Sequence, residues 1–158
     1  MTARLFTLDQ ARRLLPQINA LLVAANDDLE AHACRLQASN RRYEEAEERL
    51  ASINPGPGSA KNLRLLRRYR SQFQEAINEL SKAQRDFVER TNFWVDKVSE
   101  TGVILRDLRE GLLDFPCRQG QLNYFLCWRL GEEDIAFWHL RDDGFVGRKP
   151  LAALVEYI

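Results

Sequence analysis

The chain has 158 residues, with 23 Lys and Arg against 23 Asp and Glu and a formal net charge of zero. Balanced charge excludes a whole-molecule field drawing it to nucleic acid or an anionic membrane, so any such binding needs a local patch. Hydrophobic residues make up 45% of the chain, yet no apolar run approaches the roughly 20 residues that span a bilayer. A cytoplasmic protein with no leader and no membrane partner is the expectation.

Three cysteines, Cys34, Cys117 and Cys127, stand at unrelated spacings with no CxxC or CxxH pair. Neither a disulfide framework nor a structural zinc motif is suggested, and no metal or cofactor is expected.

The first element starts at Leu8. Thr7 and Gln10 have capping-box spacing, in which hydroxyl and amide side chains each satisfy a backbone N–H of the first turn. Phe6 precedes the cap and could staple the first turn. Leucine or a close substitute then recurs every seventh residue: Leu8, Leu15, Leu22, Leu29, Leu36, Tyr43, Leu50. A second series runs three residues ahead through Ala11, Ile18, Ala25, His32, Ser39, Ala46 and Ile53. The two make a heptad seam that cannot stay wet and needs a partner helix. Pro16 removes one intrahelical hydrogen bond, but the heptad phase survives across it, so a kink is expected rather than a stop.

Residues 54–59, Asn-Pro-Gly-Pro-Gly-Ser, cannot continue a helix and are read as the bend, with Ser59 as the next cap. A second helix follows, with Leu66, Phe73, Leu80, Phe87 and Trp94 on one series and Leu63, Arg70, Ile77, Gln84, Thr91 and Val98 on the alternate one. Residues 1–101 are therefore expected to form a long antiparallel, coiled-coil-like helical hairpin. Folding it places His32 near Ser81 and Gln84, and Ser39 near Gln74 and Glu75. Such polar layers set register, or hold a ligand; the first reading is favoured. Leu14, Leu21, Val88 and Val95 lie off the seam and could meet the C-terminal half or a second copy in a four-helix dimer.

From Gly102 the period changes to that of strands. Val103–Asp107 is a strand, Leu112–Phe115 returns and is closed by Pro116, and Cys117–Gln121 turns. Leu122–Leu130, apolar on both faces, is the central strand, and Ile135–Leu140 follows. Pro150 could open a short helix. The fold class is α+β, with residues 102–158 forming a small antiparallel meander of about four strands packed on the hairpin. Pairing Leu130 with Ile135 sets Trp128 beside Phe137 and Cys127 beside Trp138, with His139 on the face of Phe137, Leu126 and Tyr124.

Asp114, Arg129, His139 and Arg148 are then the polar cluster able to carry chemistry, His139 as acid–base or ligand group and the arginines as anion anchors. The competing reading is a histidine satisfied by a backbone carbonyl, and it is favoured because no nucleophile motif or phosphate loop accompanies the cluster.

Several stretches resemble a known family. They are Phe6-Thr-Leu-Asp-Gln-Ala11 with Leu14-Leu-Pro16, Gly102-Val-Ile-Leu with Gly111-Leu-Leu-Asp-Phe-Pro116, and Leu126-Cys-Trp-Arg-Leu-Gly-Glu132 with Phe137-Trp-His139 and Gly144-Phe-Val-Gly-Arg148. Together they are similar to the prokaryotic domain-of-unknown-function 2203 family, over essentially the whole chain. The resemblance implies no established activity. Some members carry labels likening them to DivIVA, a coiled-coil cell-division protein. It directs attention to Asp114, Trp128, Arg129, Trp138, His139, Phe145 and Arg148.

Three functions compete. The favoured one is a non-enzymatic module that docks a protein partner or self-assembles, possible homodimer included. The second is nucleic-acid or ribosome binding through a basic tip of Arg41, Arg42, Lys61, Arg64, Arg67, Arg68 and Arg70, with Tyr69 for stacking. Glu44, Glu45, Glu47 and Glu48 are expected to neutralise that tip, which makes nucleic acid a disfavoured partner. The third is small-molecule or metal binding at the sheet, the class that would hold an enzyme.

Overall fold

A computed structural model describes residues 4–53 and 60–157. The expected bend at 54–59, and the cap at Ser59 with it, lies outside the described residues. Two long helices, α1 (Leu8–Ala51) and α2 (Ala60–Ser99), pack against each other. Five strands follow: β1 (Ile104–Asp107), β2 (Leu112–Gln119), β3 (Leu122–Arg129), β4 (Phe137–His139) and β5 (Lys149–Pro150). A 3-10 helix closes the chain at Leu151–Tyr157. The fold is α+β, as expected.

The capping box forms as its spacing requires. The Thr7 amide donates to Gln10 Oε1 at 3.0 Å, and the Gln10 amide donates to Thr7 Oγ1 at 3.2 Å. Phe6 is buried in the sheet core, with its ring edge-on to Phe115 at 5.3 Å. Helix α1 runs through Pro16 without ending.

The chain divides into two compact units, Asp28–Thr91 and the flanking Met1–Asp27 with Asn92–Ile158. Helices α1 and α2 supply nearly all the described residues of unit Asp28–Thr91. Its antiparallel register is marked by the Tyr43 and Phe73 rings at 5.4 Å, by Arg90 Nε on Asp28 Oδ2 at 2.7 Å, and by Arg42 on Glu79 at 3.1 Å. His32 and Ser39 line one cleft of about 310 Å³ together with Glu79, Lys82, Ala83 and Asp86 of α2.

The alternate series of α2 holds at Val98, which is fully buried, and in part at Ile77 and Thr91, but not at its other members. Leu63, Arg70 and Gln84 are exposed. The inner partners of Leu66, Phe73 and Leu80 lie three residues after them instead, at Tyr69, Ala76 and Ala83, and Ala76 is buried. The small side chains let the helices approach, whereas the expected phase would have buried Arg70 and Gln84 unpaired.

In the other unit, the sheet is fully antiparallel in the order β1-β2-β3-β4-β5. Strand β2 does not end at Pro116 but runs on to Gln119, with Pro116 paired to Phe125. The Pro116 carbonyl accepts from the Phe6 amide at 2.8 Å, on the edge away from β3. The ring nitrogen of Pro116 faces that same edge, beyond the end of β1, so no ladder bond is lost.

The β3/β4 register is shifted by one residue from the expected one: Cys127 pairs with Phe137, Leu126 with Trp138 and Phe125 with His139. A one-residue slip exchanges the faces of a strand. Trp138 thus joins Leu126, Tyr124, Trp128, Leu113 and Phe115 in a core with Ala11, Ile18, Leu22 and Val98. His139 lies on the opposite face with Phe125 and Cys127, not with Leu126 and Tyr124 as expected. The slip has a simple cause: Ile135 and Ala136 stay out of β4, and Ile135 drops into the core from the loop.

Candidate functional site

The face of the sheet away from that core carries a buried polar centre. Asp114 and Cys127 are direct partners across β2 and β3, and His139 stands beside Phe125 on β4. Asp114 and His139 are each 2% exposed, and Cys127 is fully buried.

His139 Nε2 lies 2.9 Å from Asp114 Oδ1, and its Nδ1 lies 2.7 Å from the Leu140 carbonyl oxygen. A carbonyl only accepts, so Nδ1 carries a hydrogen. Nε2 faces the Asp114 carboxylate. Arg106 Nε donates to Asp114 Oδ2 at 2.7 Å. Arg106 reaches inward from an irregularity between Leu105 and Asp107, where the β1/β2 register shifts. Its guanidinium also lies 5.5 Å from the Phe125 ring centroid.

Cys127 links this pair to a second ionic group. Burial pushes its thiol up to about 12, Asp114 and Glu132 add to the rise, and Arg148 opposes it. Arg148 donates to Glu132 Oε1 at 2.6 Å, with its guanidinium 4.0 Å from the Phe137 and 4.3 Å from the Phe145 ring centroids. Glu132 Oε2 accepts from the Arg129 amide at 3.0 Å.

Of the four residues expected to cluster, Asp114 and His139 touch, and Arg148 reaches the centre through Cys127. Arg129 contributes its backbone amide, while its side chain is exposed at the end of β3. Arg106, Cys127 and Glu132 were not anticipated. Cys127 had a signal, the two-residue turn at Gly120, which fixes Asp114 opposite it once β2 is carried past Pro116.

The basic residues Arg41, Arg42, Lys61, Arg64, Arg67, Arg68 and Arg70 are all exposed in unit Asp28–Thr91. Among the described residues, no ion pair joins Glu44, Glu45, Glu47 or Glu48 to the basic residues of α2. Among the described residues, Glu45 pairs within its own helix with Arg49, and Arg42 pairs with Glu79.

The molecule is thus an α+β protein: a two-helix hairpin followed by a five-stranded meander with a buried Asp–His–Cys centre. The family model described as "Uncharacterized conserved protein (DUF2203)" matches residues 4–151, and the chain belongs to that family. Its description carries no activity and no reference to DivIVA. No curated protein and no solved structure matches the chain. No helix among the described residues is long and apolar enough to cross a membrane.

Proposed function

We propose that the protein is a non-enzymatic cytoplasmic assembly module whose helices pair with those of a second copy. The observation that carries this reading is the unfinished core of unit Asp28–Thr91. Among its described residues only Ser39, Ala46 and Ala76 are buried; every large apolar side chain, from Leu29 and Leu36 to Phe73 and Phe87, is half-buried or more exposed. Two helices shield one stripe each, and small units of this size need a further layer to hide enough apolar surface.

The side left open is defined. Leu63 and Val88, 58% and 56% exposed, lie about seven turns apart on one flank of α2, with half-buried Ile77 between them. A second copy laid on this flank by a two-fold axis covers those residues and completes the shielding of Phe73, Leu80 and Phe87. Each large apolar side chain brought to full burial adds up to about 1.5–3 kcal/mol. Three unpaired thiols fit a reducing compartment.

Sedimentation velocity on the full chain tests this. A species of twice the 18.4 kDa chain mass is expected, converting to monomer in Leu63→Glu and Val88→Glu. A monomer at every concentration, or a dimer indifferent to both substitutions, overturns the reading.

A further inference from the structure

We propose that Asp114, Cys127 and His139 form a binding site for one tetrahedral transition-metal ion of the zinc type. One carboxylate oxygen, the thiol sulfur and one imidazole nitrogen all lie within 4.8 Å of one another, and all three side chains are buried. A zinc ion held about 2.0–2.3 Å from each donor separates them by roughly 3.3–3.7 Å, so the Asp114 and His139 donors, 2.9 Å apart, part slightly while the sulfur closes in, by shifts of about 1 Å. Thiolate, imidazole and carboxylate together select zinc or cobalt over magnesium and calcium, which take oxygen donors.

The donors are already oriented. The Leu140 carbonyl engages Nδ1 of His139 and turns Nε2 toward the centre. Arg106 engages Oδ2 of Asp114 and leaves Oδ1 inward. Arg148 places its positive charge by the Cys127 sulfur. Each ligand thus has an outer partner, the pattern that fixes ligands in metal sites. Among the described residues these three make up the donor group, so the fourth position falls to water.

The test is cobalt titration of full-length Cys34→Ser, which removes the one exposed thiol. A thiolate-to-cobalt charge-transfer band saturating at one equivalent per chain is expected; no band, or more than one equivalent, overturns the site. Cys127→Ser should abolish the band while keeping the native circular dichroism. Should that variant not fold, Asp114→Asn takes its place, with an affinity at least about tenfold weaker expected. Zinc-edge absorption of loaded Cys34→Ser should show one sulfur among the donors. A sulfur count of zero or two, or cobalt bound by Asp114→Asn as tightly as by its parent, overturns the assignment.

Discussion

Asp114 Oδ1 and His139 Nε2 sit 2.9 Å apart with almost no access to solvent, joining β2 to β4 across β3. Removing one member leaves the facing atom of the other, Nε2 or Oδ1, buried without its partner, so Asp114→Ala or His139→Ala should cost about 3–5 kcal/mol. Asp114 also anchors Arg106, and its loss should be the greater. Urea denaturation of metal-free protein measures both. The double variant should cost clearly less than the sum of the singles, because the second change removes a group already orphaned. Additive losses would show that the two side chains act independently.

The reciprocal bonds of Thr7 and Gln10 predict a smaller effect. Thr7→Ala should lower stability by about 1 kcal/mol. Gln10→Ala should do less in the Thr7→Ala background than in the parent, since each side chain holds the other's end of the box. Equal effects in both backgrounds would mean that the two bonds are uncoupled.

Two glycines with the same backbone conformation separate strain from space. Gly111 and Gly120 have φ of 63° and 60°. A Cβ on Gly111 would fall on the Leu130 Cβ, whereas one on Gly120 meets nothing within 4 Å. Gly120→Ala should therefore cost only the left-handed penalty, about 1–2 kcal/mol. Gly111→Ala should cost that and a forced movement of Leu130 besides, giving the lower melting temperature of the two.

Stability should fall in alkali. Burial pushes the Cys117 thiol from an ordinary 9.0 up to about 11, and burial likewise raises the Tyr124 phenol opposite it. The unfolded chain thus loses these protons first. The stabilisation is complete below about pH 9 and is lost as pH climbs through the folded value, by about 2–3 kcal/mol for the thiol. Cys127 adds a decline of the same sign that begins at the same pH and extends further into alkali. Denaturation of metal-free protein between pH 8 and 11 should show the loss, reduced in Cys117→Ala. A flat profile over that range would contradict it.

Much of this architecture was legible in the residues. Thr7 and Gln10 located the start of α1 to the residue, because a capping box is a purely local device. The seven-residue recurrence of Leu66, Phe73 and Leu80 located one stripe of α2. It could not say whether the second stripe lay before or after, because both phases keep the same period. Only the small Ala76 and Ala83 hinted at the answer. Pro116 misled because a proline ends an interior strand unless its nitrogen faces an open edge, and the edge is open there only because β1 pairs no further along β2 than Asp114. The Asp114–His139 meeting was within reach, but the one-residue slip at Ile135 hid which aromatic residues share its face. Cys127 joins the centre through a register that follows from the Gly120 turn only when β2 is carried past Pro116, and Arg106 through a local irregularity that spacing along the chain does not record.

The bond from the Phe6 amide to the Pro116 carbonyl carries a temporal consequence. During synthesis the segment that seals the sheet edge leaves the ribosome more than a hundred residues ahead of its acceptor. The helical stretch Asp28–Thr91 is complete in sequence well before β2 emerges and can pair locally, at low loop-closure cost. The meander must then capture a strand of chain made long before it. Productive folding of the nascent protein therefore waits on its last third, and premature termination anywhere before β4 leaves Phe6, Ile18 and Leu22 without their cover.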